Sequence, residues 1–497
     1  MLVGAAVAAS MLAVGGMAWA EEAGELPADP SGLVATAVSA SEINLSWTDN
    51  ANYEAAYVVE RSLDGSTGWT ELTPTLAADT TSYSDTGLSE GTTYHYRVKA
   101  TNANGSSGYS NTANATTEAS PPPPLTLNET PDSTWMTNGR VWSIVRHGDY
   151  VYVGGNFTRA RSAASGGSSF AATDLARFDA TTGVADRNWT PDVTGTNSTA
   201  TQVYSLVAAG GKIWVGGKFD AVDGLPRRNL AAVDPLTGAV DPNVKPLIGA
   251  ETAVGIKAMA ASDTRVYVGG GFGSVDGQGR RNLAAFNATT GALDTKWRSK
   301  AGSPVRSLAL SCDEATVFAG GIFRTASGND GVFQPRESLA RFDAITGALH
   351  PWATPTGTVN NDAVAVDMAV TCDRIIVPYQ GNNLNVSYRL DDGNAGTVDW
   401  MVKSQGEAQT VAMLGPDKVL FGGHFSNWID GKRTGIALVN LSDGSVDPSW
   451  APVLTASFVS VWETYVDEQS HKVYIGGLFN TVEGVPQTFF ARFSYTP

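Results

Sequence analysis

Histidine and cysteine are nearly missing from this sequence: five of the first and two of the second among 497 residues. That scarcity excludes a His/Cys metal array and a disulfide-dense framework. The histidines, His95, His147, His350, His424 and His471, are scattered, and no His-Glu-x-x-His occurs. No phosphate-binding P-loop, Gly-x-Ser-x-Gly elbow or Cys-x-x-Cys is present either. No metal and no cofactor is therefore expected. Positive charge is also short. Lys and Arg number 33 against 49 Asp and Glu, a net charge of −16, which opposes nucleic acid or an anionic membrane surface as partner. No stretch after residue 20 reaches 18 uninterrupted apolar residues, so no membrane insertion is expected once that segment is removed. Residues 1–20 are an Ala/Val/Leu/Gly run ending Ala18-Trp19-Ala20, and read as a secretory signal peptide. A secreted or cell-surface protein follows.

Helical periodicity is missing too. What is there instead is glycine, 54 residues of it, and short alternating runs. The organising text is Gly-Gly-x-Phe, beginning at Gly154, Gly216, Gly269, Gly320, Gly422 and Gly476. The spacings are 62, 53, 51, 102 and 54. The 102 is two steps of 51, which places a worn copy at Val377-Pro378-Tyr379-Gln380-Gly381. Seven units of about 50 residues signal a solenoid, propeller or array. Each unit holds four strand signals: an apolar run, the run ending in Gly-Gly-x-Phe, a Leu-Ala-x-Phe-Asp run, and a run after a Thr-Gly or Asp-Gly turn that ends near a tryptophan. Four antiparallel strands per repeat make a propeller blade. Paired glycines let neighbouring blades approach, and the Phe fills the gap.

The last unit stops after its third strand, Phe490-Ala491-Arg492-Phe493. Upstream of the first unit, Pro131-Asp132-Ser133-Thr134-Trp135 reads like the fourth-strand text Asp447-Pro448-Ser449-Trp450. Residues 131–135 are thus expected to pair with 490–494 and to close the ring. Residues 27–117 form a separate domain. Its runs Glu42 to Trp47, Ala56 to Arg61 and Thr93 to Ala100 alternate with period two, as in an antiparallel sandwich. Trp47 and Tyr57 are expected in its core, and Tyr94 stands where a tyrosine corner would. Between the two domains, 118–126 holds four consecutive prolines, a semi-rigid linker.

Leu-Ser-Trp, Tyr-x-Val-Glu-Arg and Leu-x-x-Gly-Thr-x-Tyr-x-Tyr-Arg-Val make residues 27–117 resemble a fibronectin type III domain. That resemblance implies a spacer or interaction module. Val-Tyr-Val-Gly-Gly-x-Phe, Leu-Ala-Arg-Phe-Asp and Thr-Gly make 127–497 resemble delta-60-repeat β-propellers. The implied fold is all-β, a sandwich followed by a seven-bladed propeller closed by an N-terminal strand. Membership implies an extracellular location and no one activity.

Three groups of residues stand out. Cys312 and Cys372 occupy the same turn of adjacent units and are expected to form a disulfide. Lys257, Arg306, Asp367 and Glu463 lie on first strands, which surround the axis of a propeller and point toward a channel. Phe170, Phe333, Arg336, Trp428 and Arg433 fall in the long connections after the second strands, where binding residues usually reside. Acidic turns such as Asp223-Gly224, Asp276-Gly277, Asp430-Gly431 and Glu483-Gly484 read as turns rather than calcium ligands. The function expected is non-catalytic binding or adhesion, to an extracellular glycan or protein, through the propeller loops. The alternative is a carbohydrate-active enzyme, with Asp367 and Glu463 as its paired carboxylates.

Overall fold

The computed structural model describes residues 24–72, 75–119, 125–163, 167–195, 201–360, 362–390, 396–428 and 431–497. The expected signal peptide 1–20, Pro121 to Pro124, the Asp392-Gly393 turn and Asp430 lie outside them. Among the described residues all regular structure is β, with no helix. The chain divides into two compact units, Met1–Pro123 and Pro124–Pro497.

The first unit is a sandwich. One sheet joins Ser31–Ala37, Glu42–Thr48 and Ser82–Thr86; the other centres on Ala56–Ser62 paired with Thr93–Asn102. Alternation decides the faces. Ile43, Leu45 and Trp47 are buried while Asn44, Ser46 and Thr48 are exposed. Trp47 and Tyr57 meet in the core with ring centres 5.7 Å apart. The Ser89 N–H donates to the Tyr94 hydroxyl at 3.0 Å, as a tyrosine corner requires.

Among the described residues the second unit has seven principal sheets in sequence, with four small three-stranded sheets beside them. The inner strands of the principal sheets are β1 (Arg140–His147), β2 (Gln202–Ala209), β3 (Ile248–Ala261), β4 (Val305–Leu310), β5 (Ala369–Val370), β6 (Gln405–Leu414) and β7 (Ser460–Asp467). Each pairs antiparallel with the strand that carries the glycine pair or, for β5, with its worn counterpart. Each inner strand also packs against the next, and β7 packs against β1.

The first glycine of each pair sits under the following sheet. A Cβ on Gly154 would lie 2.5 Å from Val203 Cγ1, and one on Gly476 would lie 2.5 Å from Val141 Cγ1. Real carbons rest roughly 3.5–4.0 Å apart, so only glycine admits the neighbouring strand. The phenylalanines Phe157, Phe219, Phe272, Phe323, Phe425 and Phe479 are all buried. Tryptophans tie sheet to sheet. The indole N–H of Trp189 donates to the Asp234 carbonyl at 3.1 Å, that of Trp297 to Asp343 at 3.2 Å, and that of Trp400 to Leu441 at 2.7 Å.

The start of this unit joins its last strand, in a register shifted from the one expected. Regular pairing falls at Thr126↔Thr496 and Leu127↔Tyr495. Within 131–135 the Asp132 N–H donates to the Arg492 carbonyl at 2.8 Å and the Arg492 side chain donates to the Ser133 carbonyl at 3.1 Å, while the Trp135 N–H donates to Gly183 of the first sheet. Yet Asp132 occupies the place of Asp186, whose N–H donates to Arg177, and of Asp447, whose N–H donates to Leu438. Its carboxylate takes Lys472 at 2.8 Å, just as Asp241, Asp294 and Asp447 take Lys212, Arg265 and Lys418. The Trp450 indole donates to the Asn128 carbonyl. A chain entering from outside cannot copy a tight hairpin, so its regular pairing begins at the far end of Phe490–Thr496.

Cys312 and Cys372 follow β4 and β5 and are bonded, with Cα atoms 5.2 Å apart.

Candidate functional site

The second glycine of each pair sets up the site. A Cβ on Gly155, Gly217, Gly270, Gly423 or Gly477 would collide with a carbonyl oxygen of its own inner strand. That crowding accompanies a bulge. Val141 pairs Gly155 and Ser143 pairs Gly154, so Trp142 is left unpaired. Tyr204, Lys257, Arg306, Gln409 and Trp462 are skipped in the same way on β2, β3, β4, β6 and β7. A bulge re-aims a side chain, and here all six line one cavity of about 630 Å³. Val366 and Asp367, just before β5, line it as well.

The residue after each bulge forms a second layer. Ser143 Oγ accepts the Leu206 N–H, Ser205 Oγ the Met259 N–H, and Thr410 Oγ1 the Thr464 N–H. Asp367 and Glu463 stand at the same layer. Asp367 accepts the Val411 N–H at 2.8 Å, and Glu463 accepts the Ile144 N–H. Burial pushes the Asp367 carboxyl up to about 6, against the pull of the Val411 and Met368 N–H groups and the Thr410 hydroxyl. Burial, then the neighbouring Asp367 charge, holds Glu463 well above the usual carboxylate range.

The cation side is arranged differently. The Lys257 ammonium lies 3.0 Å from the centre of the Tyr204 ring. Burial, then Arg306 and Lys218, push it down to about 7. Arg140 lines the same cavity. The aromatic wall is Trp142, with Trp462 at 5.0 Å and Tyr204 at 6.2 Å between ring centres. The indole N–H groups of Trp142 and Trp462 are buried with no acceptor among the described residues. Behind Trp462, His424 packs at 6.0 Å and sits 3.3 Å from Glu407, which also takes the Gln380 amide at 2.8 Å.

The structure thus brings Lys257, Arg306, Asp367 and Glu463 to one cavity. It does not do so for the loop residues. Trp428 is 1% exposed, wedged against Phe421 and Phe425 at 4.8 and 5.2 Å. Its reading as an exposed platform is wrong, because the strand Lys418–Trp428 runs on past the glycine pair and carries the indole into the core. Arg336 is buried and donates to the His350 carbonyl, as Arg227 does to Asp241 and Arg280 to Asp294. It is a repeated clamp. Phe170 packs on Trp135, and Arg433 is half-buried. Phe333 alone of the three aromatics is exposed, at 39%, with Arg281 6.0 Å from its ring. Asp223 and Asp276 have positive φ, and their carboxylates accept the N–H groups of Asp192 and Leu247.

Sequence reasoning missed Gln409, Gln380, Gln202 and Arg140, all of which line the cavity. Counting one residue past the last apolar position before each bulge would have found Gln409.

Residues 28–116 match the family described as Fibronectin type III domain, and the sandwich is such a domain. An alpha-amylase from Niallia circulans is 42% identical over 99 residues, 19% of this chain and 7% of that protein. The chain therefore spans a small fraction of that relative's length. Among solved structures, an Fn3-like protein from Clostridium thermocellum is 31% identical over 20% of this chain and 99% of its own, with a TM-score of 0.17. Titin domains are 27% identical over 19% of this chain and 33% of theirs, also at 0.17. Among the described residues no helix is long and apolar enough to cross a membrane.

Proposed function

We propose that residues 127–497 form a seven-bladed β-propeller of the delta-60-repeat type, and that the protein binds an extracellular glycan in the axial cavity. The carrying observation is the bulge. One position in each of six sheets is aimed inward, and it is there that the units differ, as Trp, Tyr, Lys, Arg, Gln and Trp. The cyclic packing of the seven inner strands supports the propeller, and the adjacent tryptophans suit a sugar face. The signal-like residues 1–20 and the fibronectin type III domain support secretion or display at the cell surface, with 118–126 as the spacer.

The rival reading is a carbohydrate-active enzyme. Asp367 and Glu463 line the cavity with raised pKa values, as an acid pair should. Each, however, already holds a backbone N–H of the next sheet. The test is a glycan array probed with the full chain, paired with a reducing-end assay on every hit. Binding lost in Trp142→Ala and Trp462→Ala, with unchanged melting temperature, supports the binding reading. Turnover of any hit, abolished in Glu463→Gln, overturns it in favour of the enzyme.

A further inference from the structure

The cavity has a surplus of hydrogen-bond donors and positive charge. Arg140, Lys257 and Arg306 line it from β1, β3 and β4. No ion pair among the described residues holds any of the three. Several cations on strands elsewhere in this unit are matched, although Lys218, Lys300 and Lys403 hold no ion pair among the described residues. Arg146, Lys212, Arg265, Lys418 and Lys472 each hold an aspartate. The contrast is sharper because acidic residues outnumber basic ones by 49 to 33. The two carboxylates of the cavity lie one layer deeper and are engaged by backbone donors. The unsatisfied indole donors of Trp142 and Trp462 add to the excess. A neutral sugar offers donors and acceptors in similar number and would leave this imbalance in place. A ligand that carries an anion beside an apolar ring face removes it. The volume, about 630 Å³, lies in the small-ligand range of roughly 300–1,000 Å³.

We infer that the axial cavity selects an acidic carbohydrate, its carboxylate held by Lys257 and Arg306 and its ring stacked on the Trp142–Trp462 wall. This inference rests on the glycan-binding reading above and narrows it. The probe is tri-galacturonate, with its full methyl ester as the uncharged control, titrated calorimetrically into the full chain. The acid should bind at least ~10-fold more tightly than the ester, since charged hydrogen bonds contribute about that much. Lys257→Met keeps the stem over Tyr204, and Arg306→Gln changes an exposed side chain; each should cut affinity for the acid about 10-fold. Lys257→Arg should restore it, and melting temperatures should stay level in all three. Equal binding of acid and ester overturns the charge selection and leaves the glycan reading standing. No binding of either, with a blank array, overturns both. Inorganic sulfate competing as strongly as the acid sugar overturns the sugar and leaves a bare anion site.

Discussion

Alanine at Gly154 tests whether the glycine pairs exist to admit the next sheet. The new Cβ would lie 2.5 Å from Val203 Cγ1 and 3.2 Å from Leu206 Cγ, both on β2. Gly154 is not among the residues of positive φ, so the substitution strains the contact and not the backbone. Relief requires a retreat of about 1 Å by a packed strand, and overpacking of this kind costs typically 1–3 kcal/mol. Val203→Ala removes two methyl groups from a fully buried side chain, a loss of about 2 kcal/mol with its cavity. In the double variant the added methyl enters the space Val203 vacates. The double should therefore lose about 1–2 kcal/mol, where simple addition gives about 3–5. Urea unfolding of wild type, both singles and the double measures the cycle. Gly155→Ala is the control. Its Cβ meets the Arg140 carbonyl, which Val203→Ala does not relieve. Additivity at Gly154 and Val203 within about 0.5 kcal/mol would refute the reasoning.

Asp132→Ala leaves Lys472 and Arg492 without their shared carboxylate where the start of this unit meets its last strand. It should cost about 1–3 kcal/mol, with Arg492 buried and Asp132 and Lys472 half-buried, and an unchanged melting temperature contradicts the pairing. The Cys312–Cys372 bond closes a loop with a sequence separation of 60. The paired serine variant should lose about 2–4 kcal/mol, and reductant should lower the melting temperature of wild type but not of that variant. Asp367 keeps its proton in the folded state to about pH 6, above the ordinary value near 3.9. The stability this gives is full below about pH 4 and is lost as pH rises through about 6. Asp367→Asn, which still accepts from Val411, should therefore melt level with wild type at pH 4 and higher at pH 7.5. A difference that is constant across this range goes against the buried acid.

The lattice of the second unit was legible because it repeats. The glycine pairs, the buried phenylalanines and the cysteines at equivalent turns all follow from spacing, and so does the fourth-strand text at Asp132. The site was harder to see for the same reason. Arg336 looked functional within one loop, but Arg227 and Arg280 do the same work, and a residue common to many units serves the repeat. Trp428 looked exposed because strand length past Gly423 varies between units; Lys418–Trp428 runs 11 residues where Lys212–Lys218 runs 7. The cavity residues are those at which the units disagree. Gln409 escaped notice because Glu407-Ala408-Gln409-Thr410 lacks the apolar run that marks the other inner strands.

The pairing of this unit's start with its last strand also sets an order of events. Thr126 and its partner Thr496 are separated by 370 positions in the chain (496 − 126). At the usual synthesis rate of about 5–20 residues per second, the partner emerges roughly 20–70 s after the segment that awaits it. Through that interval the sheets can stack one on the next by local contacts. The segment around Asp132, with no strand yet to join, stays an open edge. Closure then requires two ends far apart in sequence to meet, which is the slow kind of folding step. The vulnerable form of this unit is thus the nearly finished one, with its sheets stacked and its own opening segment still waiting for the last strand.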